Sequence, residues 1–131
     1  KTLSRLDQVL VAPRQAGHDV LVVDRDGFVR SAQSGNVFAL YGTRWVTPPV
    51  GPGAIAGVMR SMLLQSPPSG FSARVQVMHR DALDHADEVL LCNAVRGIVP
   101  VQRLDARTYS HRDGSAALMR RFHPELGLPE A

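Results

Sequence analysis

Two apolar runs, each split by a glycine-bearing turn, limit what this chain can fold into. In HDVLVVDRDGFVRSA the apolar stretches flank Asp24, Arg25, Asp26 and Gly27, and in NVFALYGTRWVTPPV they flank Gly42. Glycine takes the positive-φ geometry of a tight turn at no steric cost, so both segments are expected to be β-hairpins. Pro48 and Pro49 then stop the second hairpin, because proline has no N–H to give to a ladder.

The remaining segments are read by periodicity. KTLSRLDQVLVAPRQAG places Leu3, Leu6, Leu10 and Val11 at helical spacing, which predicts a short helix ended by Pro13 and Gly17. PGAIAGVMRSMLLQS predicts a helix with Ile55, Val58, Met59, Met62 and Leu63 on one side, closed by PPSG. ARVQVMHR alternates as a strand, and DALDHAD reads as one or two helical turns opened by Asp81. EVLLCNAV is expected to be a buried strand, GIVPVQRLD another, GSAALMRRFH a final amphipathic helix, and residues 124–131 a frayed tail. Hairpins followed by strands mixed with helices predict an α/β or α+β fold with a mixed sheet, in one domain over residues 1–131.

Composition narrows the function. With 44% hydrophobic residues the 131-residue chain can build a core. Its +3 formal charge comes from 15 basic and 12 acidic residues interleaved along the chain, with no basic block, which argues against nucleic-acid binding. The one cysteine, Cys92, rules out an internal disulfide framework and fits a reducing compartment. No apolar run is long enough to cross a bilayer as a helix and no signal peptide precedes the domain, so a cytoplasmic location is expected.

Several short motifs fail on context. HRD at 79–81 lacks the asparagine of a kinase catalytic loop, Ala86 standing in its place, and reads as a helix start. Asp24-Arg25-Asp26-Gly27 would need a glutamate where Gly35 stands to bind calcium, so the hairpin turn is preferred. GPGAIA at 51–56 has the letters of a dinucleotide fingerprint, but prolines replace the leading strand. What remains of it is a glycine-rich entry to a helix at Gly57, whose free N–H groups favour a phosphate. His18, His79, His85, His111 and His123 show no metal-ligand spacing and are taken as surface or capping residues.

Taken together, SAQSGNVF with Asn36-Val37-Phe38, VTP with Thr47, and IAGVMR with Ile55, Gly57, Val58 and Arg60 resemble the pattern of the fold-type IV pyridoxal-phosphate enzymes. That family, the class IV aminotransferases, includes branched-chain and D-amino-acid aminotransferases and aminodeoxychorismate lyase. KTLSRLDQVL is similar to the lyase segment that begins with the cofactor lysine, and ADEVLLCNAVRGIVPV to a later lyase segment. The likeness covers roughly residues 1–101 and favours the lyase.

The resemblance implies the large C-terminal domain of that fold: a mixed, largely antiparallel sheet or pseudo-barrel with flanking helices. It also implies a smaller domain upstream, missing here, and a site formed at a homodimer interface. Lys1 would carry pyridoxal 5'-phosphate and act as catalytic base. The cofactor would further meet Ser31, Asn36, Val58, Met59, Asn93 and Ala94, the phosphate resting on the amides of Val58 and Met59. Arg96 is either a ligand for a substrate carboxylate or a solvated loop residue. The implied reaction converts the small molecule 4-amino-4-deoxychorismate to pyruvate and 4-aminobenzoate for folate synthesis, with aminotransferase and catalytically silent readings as alternatives.

One departure bears on the chemistry. Where the family pattern has a glutamate that keeps the pyridine nitrogen protonated, this chain has Ser31, with Gln33 two residues further on. A hydroxyl can only hydrogen-bond a neutral nitrogen, so the electron sink is weaker. Three explanations stand: an aromatising lyase tolerates the weaker sink, Gln33 takes over the contact, or activity has been lost.

Overall fold

The computed structural model describes residues 5–11, 17–51 and 57–129. In chain order its elements are β1 (Arg5–Val11), β2 (Gly17–Val23), β3 (Val29–Ala32), β4 (Asn36–Tyr41), β5 (Arg44–Thr47), α1 (Val58–Gln65) and β6 (Ser72–Val75), followed by a 3-10 turn at Arg80–His85. β7 (Glu88–Asn93), β8 (Gly97–Leu104), β9 (Arg107–Thr108) and α2 (Asp113–Leu126) complete it.

Both hairpins form as expected. β2 pairs antiparallel with β3 across a turn in which Gly27 has φ 90°, and Asp24 Oδ1 accepts the N–H groups of Asp26 at 2.9 Å and Phe28 at 3.0 Å. β4 pairs antiparallel with β5 around Gly42 at φ 67°. The strands join in the order β3-β2-β1-β8-β7-β4-β5-β6, with β9 on β8, and only β5 and β6 run parallel. The sheet curls back on itself, because beyond β6 the Met78 carbonyl accepts the N–H of Val29 at 2.8 Å and Phe28 bridges His79. The result is a pseudo-barrel.

Strand alternation then sorts the apolar residues into two cores. Val37 and Ala39 of β4, Val89 and Leu91 of β7, and Val99 and Val101 of β8 turn inward and fill the barrel with Leu21, Val46 and Leu83. Phe38, Leu40, Trp45, Leu90 and Cys92 turn outward and are covered by Met59 and Leu63 of α1 and by Leu118 and Phe122 of α2. Each buried Val, Leu, Phe or Met among them contributes roughly 1.5–3 kcal/mol. A sheet apolar on both faces requires both layers, which is why the helices flank the barrel.

Five expectations are corrected. Residues 5–11 form β1, paired with β2 along all seven residues and with β8 at Val9–Val11, and not a helix. The strand read over ARVQVMHR ends at Val75, because β5, its parallel partner, ends at Thr47 before two prolines. The 3-10 turn is capped by His79, whose Nδ1 accepts the Asp81 N–H at 3.2 Å, so Asp81 lies inside it. Val58, expected on the packed face of α1, is 71% exposed at the first helical position, whereas Met59 and Leu63 are buried. Residues 124–129 are not frayed: α2 continues through Pro124 to Leu126, Gly127 closes it at φ 71°, and the Leu128 N–H bonds the His123 carbonyl at 3.0 Å.

Candidate active site

One end of the barrel gathers most of the residues singled out from sequence. Asn36 opens β4 and faces Cys92 near the end of β7. Asn93 follows, and its Nδ2 donates to the Ser34 carbonyl at 3.0 Å, tying the β7–β8 turn to the β3–β4 turn. Ser31 lies one residue before that turn. Its cross-strand partner is Val22, and the inward pair is Leu21 with Ala32, so Ser31 sits on the outside of the barrel, 9% exposed. Gln33 is exposed in the turn itself, its N–H bonded to the Val20 carbonyl at 2.9 Å. Lys1 lies outside the described residues, as do Ile55 and the rest of residues 52–56.

The helix start is docked onto this end by residues of the sequence pattern. A Cβ on Gly57 would stand 2.6 Å from Asn36 Oδ1, so only glycine lets the chain approach Asn36 this closely. Arg60, 8% exposed, donates to the Pro48 carbonyl at 3.0 Å, and Thr47 Oγ1, fully buried, donates to the Val37 carbonyl at 2.7 Å. Burial lowers the Arg60 pKa from its ordinary value, partly offset by Cys92. The same burial pushes the Cys92 thiol up to about 12, with Arg60 acting in the opposite sense. Asn36, Thr47, Gly57 and Arg60 thus fix where α1 begins.

What they present is a helix N-terminus whose N-cap is a glycine. Gly57 supplies no side-chain cap to α1 and the first turn holds no acid. The first helical bond runs from the Ser61 N–H to the Gly57 carbonyl, which leaves the amides of Val58 and Met59 outside the helical ladder. In the neighbouring turn Asn93 Oδ1 accepts the N–H groups of Val95 at 3.0 Å and Arg96 at 2.8 Å, and not that of Ala94. The Asn93 side chain, expected to face a ligand, is satisfied by protein on both ends. Arg96 is exposed at the tip of the turn.

Two buried polar residues were not anticipated, Glu88 at the far end of β7 from Asn93 and His123 behind the β7–β8 turn. Glu88, 2% exposed at the start of β7, accepts from Gly114 N at 2.7 Å, Ser115 N at 2.9 Å and Ser115 Oγ at 2.7 Å, and so caps α2 from another element. The available signal was an acid opening an apolar strand. His123, assigned to the surface or to a cap, is 4% exposed, and its Nε2 accepts the Ile98 N–H at 2.9 Å. Its position beside Phe122 on the apolar side of α2 was the clue. Among the described residues no group of three or more His, Cys, Asp or Glu is placed to hold a metal, and no helix is long and apolar enough to cross a membrane.

Comparison with known proteins agrees with this geometry. The sequence is 27% identical over 95 residues to the branched-chain-amino-acid aminotransferase of Escherichia coli strain K12, covering 72% of this chain and 31% of that protein. It is 27% identical over 111 residues to a probable branched-chain-amino-acid aminotransferase of Thermotoga maritima, covering 82% of this chain and 41% of that protein. The solved 4-amino-4-deoxychorismate lyase from Pseudomonas aeruginosa superposes with a TM-score of 0.76 at 28% identity, over 82% of this chain and 40% of that one. A putative branched-chain amino acid aminotransferase from Thermotoga maritima gives 0.72 at 27% identity, over 86% of this chain and 42% of that one. The chain therefore spans less than half the length of these relatives. The family described as amino-transferase class IV matches residues 1–104, which takes in every strand of the barrel up to β8 and the start of α1. The chain belongs to the class IV aminotransferase family.

Proposed function

We propose that this chain is the cofactor-binding part of a pyridoxal-phosphate lyase that eliminates pyruvate from 4-amino-4-deoxychorismate and releases 4-aminobenzoate. The observation that carries the reading is the eight-residue helix α1, uncapped at its start and held against Asn36 where only glycine fits. A helix start whose first amides lie outside the helical ladder, near a turn whose Ala94 amide Asn93 Oδ1 does not take, suits the oxygens of a phosphate. At the other end of the cofactor, the Ser31 hydroxyl suits a neutral pyridine nitrogen.

When bound, pyridoxal phosphate supplies an electron sink for the pair left behind as the substrate's amine-bearing carbon gives up its proton. The amides of Val58, Met59 and Ala94 would hold the phosphate, and Asn36 would position the first two through Gly57. Lys1 would carry the cofactor and, as a neutral amine, move the proton. Arg96, free to swing from the turn, would meet a substrate carboxylate. A segment upstream of Lys1 and a second copy of the protein would complete the site.

Ser31 supports elimination over amino transfer. Amino transfer would depend more on a carboxylate that keeps the cofactor's ring nitrogen protonated, which a serine hydroxyl cannot do, whereas an elimination that ends in an aromatic ring is downhill without it. The second reading, a branched-chain aminotransferase, is favoured by the E. coli and T. maritima relatives.

The test takes the intact protein, supplies pyridoxal phosphate, reduces with borohydride and maps the peptides by mass spectrometry. A pyridoxyl adduct on Lys1 is expected. Its absence would mean a domain that kept the fold without the cofactor. Pyruvate release from 4-amino-4-deoxychorismate, set against amine transfer to a branched-chain keto acid, then separates the two reactions.

A further inference from the structure

We propose that His123 is a positioning residue for the cofactor phosphate, holding the β7–β8 turn in place from α2 through the backbone of Ile98. The inference rests on the reading above, in which that turn contributes the Ala94 amide to the phosphate.

The need for such a residue follows from the strand ladder. β8 has β7 along one edge from Gly97 to Pro100, and among the described residues its other edge meets β1 between Val101 and Leu104. Backbone groups alternate between the two edges of a strand. Alternation that directs the groups of Gly97 and Val99 at β7 turns the Ile98 N–H the other way, beyond the last described β1 pair at Val11 and Val101. Pro100, two residues on along that same edge, has no N–H to place. Ile98 is 2% exposed, and a buried amide without a partner costs about 1–3 kcal/mol. His123 Nε2 meets it.

That bond fixes the tautomer and with it a second contact. Since Nε2 accepts, Nδ1 carries the proton and donates to the Pro129 carbonyl. The ring therefore bridges the strand start and the segment that follows α2. The packing is tight on the turn side: a Cβ on Gly97 would stand 2.6 Å from His123 Nε2 and 2.8 Å from Leu128 Cδ1. Gly97, at φ 72°, is the last residue of the turn that begins at Asn93. The turn is thus held at both ends, by Asn93 on the Ser34 carbonyl and by His123 behind Gly97 and Ile98. Ala94 sits between these anchors, and a shift at either displaces its amide.

The experiment titrates the intact protein, stripped of cofactor, with pyridoxal phosphate and with pyridoxal, which lacks the phosphate. Wild type, His123→Leu and His123→Gln are compared by absorbance. A glutamine oxygen reaches about as far as Nε2 and keeps the bond to Ile98, whereas leucine removes it. His123→Leu is expected to weaken pyridoxal phosphate about tenfold or more and leave pyridoxal within about twofold, with His123→Gln restoring most of the loss. If His123→Leu does not fold, His123→Asn, too short to reach Ile98, is expected to give the same split. Equal weakening of both ligands, or no change in either, overturns the proposal while the cofactor reading stands. A wild-type protein that binds pyridoxal phosphate no better than pyridoxal overturns both.

Discussion

At the scale of single residues, the candidate site depends on side chains that are missing or muted. Replacing Gly57 by alanine sets a methyl 2.6 Å from Asn36 Oδ1, which the helix start can relieve only by moving away. The expected loss is about 1–3 kcal/mol in a urea titration, together with weaker pyridoxal-phosphate binding. Cys92 lies on the same outward face, fully buried, with its thiol pushed up to about 12 by desolvation. At pH 8 about one thiol in 10,000 is ionised, so the native protein should resist iodoacetamide and react fully once unfolded in urea. Because its folded pKa is raised, the thiol's contribution to stability is present below the unfolded value near 9 and fades as pH rises beyond it. A urea midpoint that did not fall between pH 8 and pH 11 would contradict this. The sequence showed the letters of the site, Asn36, Thr47, Gly57 and Arg60, but not their division of labour. Their bonds run between positions 10 to 21 residues apart, which no local pattern displays.

At the scale of elements, helix α2 shows why local reading recovers an element more easily than its support. Its apolar spacing was legible, yet Arg112 at its N-cap gives no capping bond and the acceptor is Glu88, 26 residues earlier in β7. Gly114 permits this approach, since a Cβ there would meet Leu40 Cδ2 at 2.7 Å and Trp45 Cζ2 at 2.8 Å. Glu88→Ala removes a carboxylate that answers three donors and leaves two buried amides open. It is expected to cost about 3 kcal/mol. Glu88→Gln keeps the shape, loses the charge at the positive end of the helix and turns an NH2 toward one of the donors, for about 2 kcal/mol. A Glu88→Gln urea midpoint equal to that of wild type would remove the helix-dipole part of this account. β1 gives the opposite lesson. Leu6 and Leu10 are four apart, and a separation of four satisfies both a 3.6 period and a period of two, so the spacing could not decide between helix and strand. Pairing with β2 on one side and β8 on the other decided it.

At the scale of the whole molecule, the described barrel closes at a seam. Ladders without a register shift join β4 to β7 from Asn36 to Leu40 and β7 to β8 from Gly97 to Pro100. Between β3 and the chain beyond β6, closure depends on the Phe28–His79 bridge, the Val29 N–H on the Met78 carbonyl and the Arg80 N–H on the Gly27 carbonyl, each bond 2.8 Å long. The hairpins announced themselves by their turns, but this seam joins segments fifty residues apart and carries no turn signal. Opening it loosens the inner core at Val29 and Met78, whereas separating β4 from β7 disrupts both cores at once, because each strand contributes side chains to the inside and the outside. Local opening free energies should follow that difference. Hydrogen exchange on the intact protein is expected to show the amides of Val29 and Arg80 exchanging first, well before those of Phe38, Leu90 and Leu91. Seam amides as protected as those of β4 and β7 would mean that the barrel opens only by global unfolding. The candidate site lies at the end of the slow strands, where Asn36 faces Cys92 and Asn93 holds Ser34. Bound pyridoxal phosphate should therefore slow exchange most at Val58, Met59 and Ala94 and leave the seam as it was, because the phosphate gains its contacts on the rigid side of the barrel.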